Sequence, residues 1–145
     1  MIRKIDHYNI RTTKFEDTVR FYVDILGMTA GRPPMASTSS PPSWIYDGSG
    51  VPAVHLIPVD PKDPEKSYAE RSQFRRGVDI TEPPAFHGSG AIDHIAFECE
   101  DYDEILGRLK SARRAYAENF VAQINLRQIF VKDPNGVTLE LNFRS

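Results

Sequence analysis

Ile5-Asp6-His7 and Ile92-Asp93-His94 are the same three residues met twice, 87 positions apart, each at the head of an apolar run. Each is followed by a helical pattern and, late in its half, by a strand carrying one more metal-ligating residue type. The first half has His55 in Ala53-Val54-His55-Leu56; the second has Glu140 in Thr138-Leu139-Glu140-Leu141. The spacings nearly agree, 48 residues from His7 to His55 and 46 from His94 to Glu140. A repeat that returns an imidazole or a carboxylate to the same two points of each copy predicts an internal duplication. It also predicts a metal site assembled from two half-domains.

Working outward from His7, the first half reads as a strand over about 2–12 and then a helix. Thr13 and Glu16 have capping-box spacing, and Phe15, Val19, Tyr22, Ile25 and Leu26 make a stripe of helical period. Gly27 is placed to end that helix in a left-handed conformation. A Pro/Ser-rich loop over 32–42 comes next. A hairpin follows, with strands over 43–46 and 51–59 joined at Asp47-Gly48-Ser49-Gly50. The second half repeats the order: a strand over 92–99, a helix signalled by Asp101 and Glu104 with the stripe Tyr102, Ile105, Leu106 and Leu109, then a hairpin. Its strands span about 126–131 and 137–143 around Asp133-Pro134-Asn135-Gly136. The expected fold is α+β: two tandem βαβββ modules in a single domain over 1–145, module one over about 1–59, a connector over about 60–90 and module two over about 91–145.

The connector is rich in Pro, and from Pro58 to Gly90 its charges nearly cancel, five Lys/Arg against six Asp/Glu. At 33 residues it is long for a compact domain. It reads as a solvated crossover with a short helix around Tyr68 to Arg75, or as a lid that turns Arg71, Arg75 or Arg76 toward an anionic substrate. The chain as a whole has 40% apolar and 26% charged residues and a net charge of −2, ordinary for a soluble globular protein and without a nucleic-acid footprint. The single Cys99 cannot form an intrachain disulfide, which favours a reducing compartment. Met1-Ile2-Arg3-Lys4 leads into a strand-like run rather than a signal segment, and no apolar run is long enough to cross a membrane. A cytoplasmic protein with no membrane partner is expected.

Alternation along a strand sends successive side chains to opposite faces. With His7 on one face, Asn9 and Arg11 join it, and Tyr8 and Ile10 take the other. His94 and Ala96 oppose Ile95 and Phe97; His55 and Ile57 oppose Val54 and Leu56; Thr138, Glu140 and Asn142 oppose Leu139, Leu141 and Phe143. All four candidate ligands therefore sit opposite the bulky apolar set. If helices cover the apolar face, the ligands line the concave side of each sheet. Imidazole nitrogen and carboxylate oxygen suit a divalent metal ion, Fe, Mn, Ni, Co or Zn, and three or four protein ligands leave positions open for a small-molecule substrate. Asn9 shares the face of His7 and is a candidate to bind substrate. Trp44 reads as an aromatic wall or as core, and Arg127 as a carboxylate or phosphate anchor or as a surface charge. His87 falls outside the repeat and reads as surface.

The chain resembles the vicinal oxygen chelate superfamily, which includes glyoxalase I, extradiol dioxygenases and the fosfomycin and bleomycin resistance proteins. The resemblance lies in Ile5-Asp6-His7, in Phe21-Tyr22-Val23-Asp24-Ile25-Leu26-Gly27-Met28, and in Phe130 to Leu141 with its Asp133-Pro134-Asn135-Gly136 turn. It implies a glyoxalase-like cleft in which a metal chelates two neighbouring substrate oxygens. His7, His94 and Glu140 match the family's His/His/Glu ligand positions. His55 stands at the fourth, where glyoxalase I-like members carry Glu, so only Glu140 remains as a proton-shuttling carboxylate. The expected activity is that of a metal-dependent lyase or isomerase, with Glu140 or His55 moving a proton. A second expectation is an Fe(II) extradiol-type dioxygenase with His55 as acid/base, although Phe130 stands where that branch typically has Tyr. A third is a non-catalytic, ligand-sequestering protein of bleomycin-resistance type, which the metal-ligand set argues against. Relatives of this size are commonly homodimers, and exposed edge strands would favour that assembly.

Overall fold

The computed structural model describes residues 1–33, 42–71 and 84–144. The elements run β1 (Tyr8–Thr12), α1 (Phe15–Arg20, continued by a π-helical turn Phe21–Ile25), β2 (Thr29–Gly31), β3 (Trp44–Tyr46), β4 (Pro52–Pro58), α2 (Pro64–Arg71), β5 (Ile95–Cys99), α3 (Tyr102–Ser111), β6 (Tyr116–Val121), β7 (Leu126–Lys132) and β8 (Thr138–Arg144). They form two four-stranded mixed sheets of the same plan, ordered β1-β4-β3-β2 and β5-β8-β7-β6. In each, the first strand lies parallel to the last, and the last three form an antiparallel meander. This is the expected pair of βαβββ modules. Both first strands start later than the sequence suggests, so His7 and His94 each precede their strand by one residue.

Helix starts are made differently from the sequence expectation. Lys14, not Thr13, stands at the N-cap of α1, and no side chain caps the helix. Instead the buried Thr12 hydroxyl accepts from the Lys14 amide at 2.9 Å while Thr18 Oγ1 donates to the Lys14 carbonyl at 2.7 Å. Asp101 does hold the N-cap position of α3, but in a left-handed conformation (φ 56°), and its carbonyl rather than its carboxylate receives the Glu104 and Ile105 amides. At the far end of the π-turn Gly27 has φ 72°, as expected, which lets the Gly27 and Met28 amides close onto the Val23 and Tyr22 carbonyls.

The alternation holds. Ile10, Val54, Leu56, Ile45, Ile129, Leu139 and Leu141 are buried from the two sheets, Phe21, Tyr22 and Ile25 from the first helix, and Ile105 and Leu109 from α3, all in one continuous core. Each such side chain contributes about 1.5–3 kcal/mol on burial. Since both apolar faces feed this shared core, the ligand-bearing faces turn away from it.

A buried polar network joins the modules. Thr12 Oγ1 donates to Asn135 Oδ1 at 2.6 Å, Asn135 Nδ2 donates to Thr18 Oγ1 at 2.9 Å, and Tyr22 donates to Asp133 Oδ2 at 3.2 Å. Tyr8 completes the chain by donating to the Tyr22 hydroxyl at 3.1 Å. Burial drives both phenols well above the usual tyrosine range, so they stay protonated donors.

The connector's helix α2 begins at Pro64, earlier than expected, because Pro at the first helical position and Asp63 Oδ1 accepting the Lys66 amide make a good start there. Tyr68 on α2 is buried with Ile57, Val59 and Phe86 in a second small cluster, and Arg11 lies over the Tyr68 ring at 5.1 Å. The described part of the connector thus packs over the Arg11 end of sheet one's ligand face. Arg75 and Arg76 lie outside the described residues.

Candidate functional site

Strand register brings the candidate residues of module one into one row. Asn9 pairs with His55 across β1 and β4, and Trp44 pairs with His55 across β3 and β4. The Trp44 and His55 rings stack at 4.4 Å and 6°, and His7 meets Trp44 edge-on at 4.8 Å. The His7 and His55 rings stand 6.3 Å apart. Trp44, half-buried, therefore stands as a wall beside both histidines. Asn9 Nδ2 donates to His55 Nδ1 at 2.8 Å, which leaves the His55 proton on Nε2. Burial, reinforced by the His7 charge, lowers the His55 pKa.

Module two builds the corresponding row around Glu140, which pairs with Ala96 on one side and Phe130 on the other. Phe130 thus repeats Trp44, and its ring meets His94 edge-on at 6.4 Å. Glu140 is oriented from behind: Gln128 Nε2 and Asn142 Nδ2 both donate to its Oε1 at 2.8 Å. Gln128 also donates to Asn142 Oδ1 at 2.9 Å and accepts from Asn119 at 2.7 Å. The other carboxylate oxygen, Oε2, lies 3.0 Å from His94 Nε2. His94 Nδ1 donates to Asp93 Oδ2 at 2.8 Å, just as His7 Nδ1 donates to Asp6 Oδ2 at 2.7 Å. The bond to Asp93 is the main cause that raises the His94 pKa, with the charges of Glu140 and Asp93 adding to it.

The donor set fits a divalent cation. With its Nδ1–H donated to Asp93, His94 turns Nε2 toward a carboxylate oxygen, and a ring nitrogen and a carboxylate oxygen that close share either a proton or a cation. The 3.0 Å His94–Glu140 separation would let one imidazole nitrogen and one carboxylate oxygen hold a divalent cation together. Within one chain, however, the four candidates come together two by two, His7 with His55 and His94 with Glu140. Among the described residues no three His, Cys, Asp or Glu converge on a single point.

Arg127 is not brought to either pair. It alternates out of phase with Gln128 and Phe130, so it projects from the opposite face, where its guanidinium covers the Tyr102 ring at 3.4 Å beside Asp103. His87 is exposed and packs against Gly136. Gln128 and the two Asp residues carried no role in the sequence reading, and Phe130 entered it only as the residue standing where the extradiol branch typically has Tyr. The signal for Gln128 was present as a lone amide on the Leu126, Phe130, Lys132 face of an apolar strand. A groove of about 700 Å³ lies between the 47–49 turn and the β5–α3 region and is lined by none of the four ligand candidates.

No protein of curated function matches the chain in sequence. Among solved structures, the fosfomycin resistance protein FosX from Listeria monocytogenes is similar over 100% of this chain and 96% of its own, at 17% identity and a TM-score of 0.62. Lactoylglutathione lyase from Agrobacterium tumefaciens is similar over 98% and 94%, at 16% identity and a TM-score of 0.56. A glyoxylase/bleomycin resistance protein/dioxygenase domain from Frankia sp. EAN1pec is similar over 100% and 94%, at 14% identity and a TM-score of 0.62. At these identities the likeness establishes the fold. The sequence profile of one family matches residues 4–141, and the chain belongs to that family, the Glyoxalase/Bleomycin resistance protein/Dioxygenase superfamily.

Proposed function

We propose that this chain is a metal-dependent enzyme of the superfamily, a glyoxalase-like lyase or isomerase acting on a small oxygenated molecule in a reducing, cytoplasmic setting. The observation that carries the reading is the His94 Nε2–Glu140 Oε2 pair at 3.0 Å, with the rear oxygen of Glu140 tied to two amides. His7, His94 and Glu140 would hold the cation. When bound, a divalent cation polarises a carbonyl or diol oxygen and stabilises negative charge developing there. His55, held by Asn9 and stacked on Trp44, presents an Nε2–H to the cup, where it would donate a hydrogen bond to a substrate oxygen. Its lowered pKa keeps it neutral near pH 7, so it would serve there as an uncharged hydrogen-bond donor. Trp44 and Phe130 wall the cleft on either side.

We further propose that the centre is completed in a homodimer, the His7–His55 face of one chain meeting the His94–Glu140 face of its partner. Two observations support this. Both ligand faces turn away from the shared core of their own chain, and Ile5 and Ile92, beside His7 and His94, are 88% and 59% exposed. Apolar side chains so placed on both faces are suited to cover each other.

The extradiol reading is weakened by Phe130, which sits directly across from Glu140 and offers no hydroxyl. A purely sequestering protein has no need of an oriented carboxylate facing an imidazole. Metal analysis of the purified protein should find bound divalent metal, and His94→Ala and Glu140→Gln should lose it. Mixing and reassorting His7→Ala with His94→Ala chains tests the assembly. Sites shared between chains regain about a quarter of wild-type occupancy, since half the dimers are mixed and carry one intact site of two. No recovery would sink the shared-site reading, and wild-type occupancy in His94→Ala would sink the metal site itself.

A further inference from the structure

We propose that Asp6 and Asp93 are positioning residues of the metal centre, each accepting the Nδ1–H of the histidine that follows it and so keeping that histidine's Nε2 for the cation. The inference rests on the metal-site reading above. A neutral imidazole carries one proton, and only the nitrogen without it can ligate. An ionised carboxylate only accepts, so a carboxylate against Nδ1 holds the proton there. The Asp6–His7 and Asp93–His94 contacts, 2.7 and 2.8 Å, repeat each other across the duplication.

His55 supplies the contrast inside the same chain. Its Nδ1 faces an amide nitrogen, a donor, and its proton therefore lies on Nε2. A carboxylate thus stands behind the two histidines whose Nε2 must be bare, and not behind the third. Backbone position makes this possible. His7 and His94 lie just before β1 and β5, so the preceding Asp is outside the pleat and its side chain can fold back on the next ring. In β4 and β8 the residues before His55 and Glu140 are Val54 and Leu139, which the pleat commits to the core. A structural ion pair does not explain the two carboxylates. They are 86% and 95% exposed, and among the described residues neither meets a Lys or Arg.

The test uses the full chain, metal-free, titrated with cobalt(II) against a competing chelator, together with long-range ¹H–¹⁵N spectra of the imidazole rings. Asp6→Ala and Asp93→Ala should each weaken cobalt(II) binding about tenfold, the lower end of what loss of an outer partner costs because both carboxylates are exposed. In the metal-free spectra His7 should be the Nδ1–H tautomer and His55 the Nε2–H tautomer, with Asp6→Ala moving His7 toward Nε2–H; His94, whose Nε2 also faces Glu140, is read through its cobalt(II) affinity. Asp93→Asn should restore part of the lost affinity, since its amide oxygen still accepts the Nδ1–H. Wild-type affinity in both Ala variants while His94→Ala abolishes binding overturns the positioning role and leaves the metal site standing. Weakened binding with unchanged tautomers also overturns it, since a carboxylate acting only through its charge does not fix a proton. Unchanged binding in His94→Ala overturns the metal site and this proposal together.

Discussion

Asn135, 3% exposed in the Asp133–Gly136 turn, joins module two to module one, and its replacement tests how much that joint is worth. Its side chain makes three hydrogen bonds: it accepts from Thr12 at 2.6 Å and donates to Thr18 at 2.9 Å and to Asp133 Oδ2 at 3.3 Å. Asn135→Ala removes all three, but the hydroxyls are not stranded. Thr18 keeps the Lys14 carbonyl at 2.7 Å, Thr12 keeps the Lys14 amide at 2.9 Å, and the Thr12 proton can turn to Thr18 Oγ1 at 3.3 Å. The net loss is about two hydrogen bonds plus a small void, or about 2 kcal/mol. Asn135→Asp keeps the acceptor for Thr12 but sets a second carboxylate against Asp133, itself 4% exposed. An uncompensated buried charge raises the cost to about 3–5 kcal/mol at neutral pH. The new carboxyl pair has its folded pKa raised above the unfolded value, so the folded state binds the extra proton. The Asp variant should therefore regain stability as pH falls from 7 toward 5, and the Ala variant should show no such recovery relative to wild type. Urea unfolding at fixed protomer concentration measures both. An Asn135→Ala protein within about 0.5 kcal/mol of wild type, well below the hydrogen-bond sum, would refute the reasoning. So would an Asp variant that follows the Ala variant at every pH.

Three further outcomes are expected. Gly136 has φ +79° and an added Cβ would lie 2.5 Å from His87 Nε2, so Gly136→Ala should cost about 2 kcal/mol or more. Adding His87→Ala should return the steric part and leave the left-handed strain of about 1 kcal/mol; no rescue would mean that the ring moves aside freely. Burial pushes the half-buried Cys99 thiol up to about 11, so a disulfide reagent at pH 8 should modify it at least about tenfold more slowly in the folded protein than in urea, and equal rates would contradict its placement. In metal-free protein an NMR titration should put the His94 midpoint above the ordinary imidazole value and that of His55 below it. The His94 shift then stabilises the fold at low pH and fades as pH rises through its folded pKa. The His55 shift acts at high pH and fades as pH falls through its own; the reverse order of midpoints would refute both assignments.

What could be read along the chain was whatever depends on near neighbours. The period-two alternation in Val54-His55-Leu56 and Leu139-Glu140-Leu141 assigned faces correctly, because pleating sets side-chain direction within a strand whatever lies beyond it. Gly27 and the Asp133–Gly136 turn were legible for the same reason, since positive φ is a local demand. Arg127 shows where residue type misleads. As a charged side chain it suggested an anchor, but its phase in β7 sends it away from Glu140 and onto Tyr102. The helix start misled differently. Thr13 and Glu16 had the right spacing, yet the buried Thr12 hydroxyl, already engaged by Asn135, receives the Lys14 amide instead.

The sequence by itself determined the duplication, the four ligand candidates and the face each occupies. Only the tertiary structure decided that Gln128 and Asn142 orient Glu140, that Asn9 and Trp44 hold His55, and that the two candidate pairs lie apart within one chain. The physical reason is distance along the chain. Module orientation follows from sharing one apolar core and from satisfying buried polar groups such as Thr12 and Asn135, whose partners stand more than a hundred residues away and leave no mark on the local pattern.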